Sequence, residues 1–242
     1  MIIRPRAEEE IVPFPLQVHR RRTMSSAPPP SSERIGAEAV GRARDFRRRA
    51  MTDDTVFITV MERLVEPVRV RLKRYPNRKL RRGLLIDLER QWRCDVPTRF
   101  RLSYSAKLDS GWGEIAERRV TAGQTRRIND PEWRGLEDDV LIVETQLLAM
   151  PGRFRLHSTT LCTFSQHAVA RRLQRGVGVD DEALITDLAV VAAIDVGQVP
   201  AEEGFKIVTD RHGAGWRGRV AKQQEQDGTI TRMISVRTWL PA

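Results

Sequence analysis

Residues 153 to 242 constrain the fold of this chain more than any other stretch, because nearly every element boundary there carries a recognisable signal. RFRLHSTTLCTF (153–164) has the composition of a strand. Ser165 is a good helix N-cap, the residues from Gln166 to Arg175 are helix formers throughout, and Gly176 stands where a helix stops. Asp180 can cap a second helix, with Asp181 and Glu182 at the end of the dipole that favours negative charge. The helix ALITDLAVVAAI is almost uniformly apolar and is therefore predicted to be buried. FKIVT (205–209), GWRGRVAK (215–222) and TITRMISVRTWL (229–240) follow as three strands with tight polar connections, the pattern of an antiparallel meander. Strand, two helices and three strands make an α+β layer.

Upstream the signals are weaker. TRFRLSYSAKL (98–108) alternates apolar and polar residues and reads as an amphipathic strand, LLIDLERQW (84–92) as a short helix, and VLIVETQLLAM (140–150) as a buried strand or helix closed by Pro151 and Gly152. TVFITVMERL reads as a strand, or a strand entering a helix. In EPVRVRLKRYPNRKLRRG, Val68, Val70 and Leu72 alternate with Arg69, Arg71 and Lys73, which predicts a half-buried strand with one basic face. Arg74, Arg78, Lys79, Arg81 and Arg82 extend that charge into a loop, the densest basic patch in the chain. Residues 33–50 have helical composition with a strongly basic end and read as a solvated helix. Residues 1–32 contain EEE, His19-Arg20-Arg21-Arg22 and SSAPPPSS, which cannot build a core, and Met24 and Met51 are alternative starts. The expected organisation is a disordered or helical basic tail (1–50), an α+β region with a basic strand face (52–150) and the punctuated unit (153–242). The expected class is α+β, with antiparallel sheets packed against short helices.

Charge points to an acidic partner. The 242 residues carry a net charge of +10, with 31% charged and 40% hydrophobic side chains, so a core is affordable under a basic surface. Nucleic acid is the expected partner, RNA before DNA, with a protein partner as a further possibility. Cys94 and Cys162 are far apart and form neither a zinc motif nor a disulfide framework, and no apolar run approaches the ~20 residues of a membrane helix. The expected location is the cytoplasm, without a membrane and without a cofactor.

Two motifs are rejected on context. Gly213-Ala214-Gly215-Trp216-Arg217-Gly218 matches a dinucleotide fingerprint, but a strand follows it where a helix must open. The two helices at 165–194 mimic a helix-turn-helix, yet the second offers Asp180, Asp181, Glu182 and Asp187, which phosphates would repel. No clustered carboxylates accompany a histidine as metal-dependent hydrolysis would require, the nearest candidate being Asp210 with His212.

FSQHAVARRLQRG carries the candidate chemistry. His167, Arg171 and Arg175 recur at four-residue spacing and share one helix face. His167 falls in the first turn, where the helix dipole favours a neutral imidazole able to accept a proton. The arginines would hold phosphate and stabilise developing negative charge. Arg237 and Trp239 share a face of the last strand, an arrangement suited to a phosphate and a stacked base, and His157 and His212 are within conceivable reach. The candidate catalytic set is His167, Arg171, Arg175 and Arg237. The candidate nucleic-acid contacts are Arg69, Arg71, Lys73, Arg74, Arg78, Lys79, Arg81, Arg82 and Trp239. The competing reading makes His167 a locally bonded helix-start residue and the arginines solvent charges.

The order of elements, with Ser165-Gln166-His167-Ala168 followed by Arg171, Arg172 and Arg175, resembles the metal-independent ribonuclease toxins of the RelE and barnase-like superfamily. It is also similar to S-x-H-A-x-x-R-x-x-x-R openings in proteins of bacterial mobile elements. The resemblance covers residues 153–242 and implies RNA cleavage without a cofactor. The alternatives are a non-catalytic nucleic-acid-binding accessory protein, with the basic stretch at 68–82 as its contact, or a structural subunit of an assembly.

Overall fold

The computed structural model describes residues 2–3, 32–74, 77–109, 112–122, 139–150, 153–176, 179–199, 204–208, 213–224 and 230–240. The protein is an α+β structure. In chain order the elements are β1 (Ile2–Ile3), α1 (Ser32–Arg74), α2 (Arg78–Asp95), β2 (Arg101–Leu108), β3 (Gly113–Thr121), β4 (Val140–Met150), β5 (Arg153–Phe164), α3 (Gln166–Arg175), α4 (Asp181–Ala192), β6 (Phe205–Val208), β7 (Gly215–Gln224) and β8 (Ile230–Leu240). One sheet has the order β1-β6-β7-β8-β5-β4-β3-β2. Two antiparallel meanders, β2 to β5 and β6 to β8, join where β5 and β8 run parallel over Cys162–Phe164 and Ile234–Val236. The punctuated C-terminal unit is thus the second half of one sheet, with α3 and α4 as the crossover between its halves.

The largest departure from the sequence-based expectation is α1. It runs 43 residues, about 65 Å at the helical rise, and takes in both stretches expected as strands, TVFITVMERL and EPVRVRLKR. Phe57, Val60, Met61, Leu64, Val65, Val68 and Leu72 are buried at helical spacing. Val68, Val70 and Leu72 looked like alternation, but Val70 is 50% exposed while its two neighbours in that pattern are buried. The threonines that favour strands are satisfied inside the helix, since Thr52, Thr55 and Thr59 each donate to the carbonyl four residues back. The expected basic strand face is therefore the end of one helix and the start of the next. The stretch 33–50, expected as a solvated helix, is the first half of α1 and buries one face: Ala39, Ala43, Phe46 and Ala50 lie in the core while residues such as Glu38, Arg44 and Arg48 stay exposed. Residues 4–31, the rest of the expected tail, lie outside the described residues.

Each face of the sheet has its own apolar cluster. Val120, Ile142, Cys162 and Ile234 stand side by side in register and join the buried residues of α3, α4 and the first half of α1. Phe46 meets Phe100 edge-on at 5.5 Å and Phe164 meets Trp216 at 5.2 Å in this cluster. On the opposite face, Ile115 and Leu147 pack against the second half of α1 and against α2, with Trp92 edge-on to Phe57 at 6.2 Å. In β3, Glu117 and Arg119 lie on this second side with Ile115, while Arg118 turns to the other and reaches the Ala192 carbonyl of α4 at 3.2 Å.

Candidate functional site

Helix α3 forms as its sequence predicts. Ser165 caps it, accepting from the Ala168 amide at 3.1 Å, and its hydroxyl donates to the Arg237 carbonyl at 3.1 Å. That bond, with the Ser165 amide on the Val236 carbonyl, fixes the start of α3 against β8. His167 is exposed, and Arg171 Nε lies 3.4 Å from His167 Nε2. The expected pairing of His167 and Arg171 on one face is present.

Arg175 and Arg237 of the expected set, and Arg172 from the resemblance, are engaged in holding the fold. Arg172 Nε bonds Asp187 at 2.5 Å, and its guanidinium lies 5.0 Å from the Trp239 ring. Arg175 donates to the Trp239 carbonyl at 3.1 Å. Arg237 lies 3.6 Å from the buried carboxylate of Asp139. Trp239 is 5% exposed, so the ring expected to stack on a base is a core side chain. His157 is seven residues before the end of β5, about 23 Å along the strand from where α3 starts, and does not join His167. Asp210 and His212 lie outside the described residues. Among the described residues no group of histidine, cysteine and carboxylate side chains is arranged to hold a metal.

The basic stretch at 69–82 is arranged differently. Arg69, Arg71 and Lys73 are exposed on the last turns of α1, which Arg74 ends, and Arg78, Lys79 and Arg82 are exposed on the first turns of α2. Asn77 caps α2 by accepting from the Lys79 amide at 2.9 Å, which sets the hairpin between the two helices. Arg69 pairs with Glu66 at 2.7 Å, and Arg81 donates to the Met150 carbonyl at 2.9 Å, tying the tip to the end of β4. Arg71, Lys73, Arg78, Lys79 and Arg82 make no ion pair among the described residues. A groove of about 940 Å³ runs from Arg69 to Arg155 and His157 of β5, with Phe154 and Leu156 along it and the carboxylates of Glu66 and Glu114 in its lining. Three elements therefore bring cations to one end of the molecule.

Sequence reasoning missed the ionic network on the second sheet face. Arg119 bonds Asp54 of α1 at 2.8 Å and Thr145 at 2.7 Å, and Thr145 lies 2.8 Å from Ser158. Glu117 accepts from Trp92 Nε1 at 2.7 Å and lies 3.2 Å from Arg101. Burial pushes the Glu117 carboxyl above its ordinary range, against the opposing pull of Trp92 and Arg101. Burial likewise pushes the Cys162 thiol up to about 12, which makes it an inert core group. The signal for the network was present: in GEIAERRVT two charged residues fall on the same side of the alternation as Ile115. No family model matches this chain, and no curated protein or solved structure matches it.

Proposed function

We propose that this protein binds nucleic acid, RNA foremost, through the basic tip formed by the α1–α2 hairpin and the start of β5. The observation that carries this reading is the set of exposed cations Arg71, Arg78, Lys79 and Arg82, which make no ion pair among the described residues, with Lys73 beside them acting on Glu66. Cations that neutralise nothing within the fold are available to displace counterions from phosphates. The groove at Arg69, Phe154 and Arg155 is also lined by Glu66 and Glu114, so the exposed cations of the tip carry the reading and the groove does not. Free thiols at Cys94 and Cys162 fit a reducing cytoplasm. No described helix is long and apolar enough to cross a membrane.

Metal-independent RNA cleavage is the second reading, favoured by the exposed His167 beside Arg171. Arg175 and Arg237 support it less, since both hold carbonyl or carboxylate groups of the fold. One experiment separates the two. Labelled single-stranded RNA is titrated in EDTA with wild type, with His167→Ala, and with Arg71, Lys73, Arg78 and Lys79 all changed to Glu. The binding reading expects intact RNA, wild-type affinity for His167→Ala, and a loss of about 10²-fold or more for the tip variant at moderate salt. Cleavage that His167→Ala abolishes assigns the enzyme instead. Unchanged affinity in the tip variant removes the tip from the reading.

A further inference from the structure

A cleft of about 810 Å³ opens between the middle of α1 and the β3–β4–β5 part of the sheet. Phe57, Ile58 and Met61 line it from the helix, and Leu141, Val143 and Leu156 from the sheet. Its volume lies in the range of drug-sized ligand sites, which are mostly apolar with a few placed polar groups. Ile58 and Leu156 are 47% and 42% exposed at its walls, a cost in exposed apolar surface that an occupant would remove.

A second, independent feature points to an occupant. Thr121 lines the cleft, is 3% exposed, and its hydroxyl has no hydrogen-bond partner among the described residues. Buried polar groups are rarely left in that state, and each one calls for an explanation. Asp54, Arg119, Thr145 and Ser158 are paired with one another along the cleft, and Glu66 with Arg69. Thr121 is thus the buried hydroxyl placed to orient a ligand oxygen.

Charge selects the class of ligand. The Arg119 guanidinium is neutralised by Asp54, and its flat side stacks on Phe57 with 3.4 Å to the ring centroid. Glu62 and Glu66 stand at the helix side of the cleft, so an added carboxylate would face more negative charge than positive. We propose that this cleft binds an uncharged, mostly apolar small molecule carrying a hydroxyl or carbonyl oxygen that hydrogen-bonds Thr121. The proposal does not rest on the nucleic-acid reading: the cleft adjoins the groove at Val65, Glu66 and Leu156 but shares none of the tip's exposed cations.

The test uses the full chain and Nile red, an uncharged apolar dye with a carbonyl. One saturable site per chain is expected, with blue-shifted emission. 1-Decanol is expected to displace the dye, and decanoate to need at least about tenfold more, since a buried charge without a partner is strongly disfavoured. Ser158→Trp, at an exposed strand position, is expected to fill the cleft and weaken dye binding at least about tenfold while circular dichroism shows a folded protein. If that variant does not fold, Ile58→Trp on the exposed helix wall gives the same readout. Thr121→Val is expected to weaken decanol several-fold without unfolding, the loss of about one hydrogen bond. Absence of saturable dye binding to folded wild type overturns the proposal, as does undiminished binding in both tryptophan variants. Equal displacement by decanoate overturns the uncharged class. Sedimentation as a dimer that Ser158→Trp dissociates would assign the cleft to a second copy of the chain and also overturn it.

Discussion

Arginines are dense in two places, at the α1–α2 tip and on α3, and the two sets differ in what they touch. On α3, Arg171 meets His167 and Gln174, Arg172 meets Asp187 and Trp239, and Arg175 meets the Trp239 carbonyl. At the tip, Arg69 holds Glu66, Lys73 acts on the same carboxylate and Arg81 holds a backbone carbonyl, while Arg71, Arg78, Lys79 and Arg82 hold nothing acidic among the described residues. The difference follows from packing. Helix α3 is wedged between α1 and β8 with α4 beside it, so its long side chains meet carboxylates and carbonyls at close range. The tip lies where two helices meet, and outside them it bonds the end of β4. Basic residues on a helix are therefore informative about a partner only after the groups already satisfied within the fold are set aside.

The sharpest way to break this comparison is Arg172→Ala. The Arg172–Asp187 pair has side chains 16% and 14% exposed, so removing the guanidinium takes its close partner from a mostly buried carboxylate and its cation from the Trp239 ring. The expected cost is about 2–3 kcal/mol of folding stability, read as a lowered urea midpoint with unchanged slope. RNA affinity of the folded variant is expected to stay within about twofold of wild type, as for other changes that touch no phosphate. A variant that keeps its stability but loses RNA would place α3 in the interface and erase the distinction.

The converse change is smaller. Arg71→Ala removes an exposed cation with no partner, so stability is expected to stay within about 0.5 kcal/mol. Binding is expected to weaken by about 1 kcal/mol, and the slope of log affinity against log salt to become shallower by about 1. Arg171→Ala in parallel is expected to leave the salt slope unchanged. Equal slope changes in the two variants would mean that both arginine sets face phosphate.

The helices α3 and α4 and the strands β2, β5, β6, β7 and β8 were legible because their signals are local. Ser165, Gly176 and Asp180 act within one turn of the residues they cap. Helix α1 was misread because a β-branched helix mimics a strand over any short window. The choice between the two periods at Val68, Val70 and Leu72 is made by α2 and the sheet packing on one side, which no local rule contains. The candidate site was legible only as chemistry. The spacing of His167 and Arg171 gave their shared face, but the partners of Arg172, Arg175 and Arg237 lie 15 to about 100 residues away in sequence. Trp239 fits an exposed stacking platform by composition and is a core residue because α3 lies over the end of β8. Strand β3, with its two inward charges, had no expected partner until α1 was placed above it.

Arg101 offers the smallest and most sharply signed test, because it is a cation fully inside the fold. Its side chain is 12% exposed beside Glu117, whose side chain is fully buried. Burial raises the Glu117 pKa from an ordinary value of 4.5, more than Trp92 and Arg101 lower it. The folded state therefore holds this proton more tightly than the unfolded chain does. Stability from Glu117 is fully present below about pH 4.5 and declines as pH rises through the raised value. Asp53 moves in the same direction, also by burial, and is unaffected by changing Glu117 to an amide. Glu117→Gln keeps an oxygen for the Trp92 indole and removes the titration. Urea midpoints of wild type and Glu117→Gln, measured from pH 4 to pH 8, are expected to shift against the wild type as pH rises. A difference that is constant with pH, or that moves in favour of the wild type, would mean that Arg101 holds the carboxylate ionised throughout. Arg101 would then be a cation whose attraction outweighs its partner's burial, the strongest form of the engagement that separates α3 from the tip.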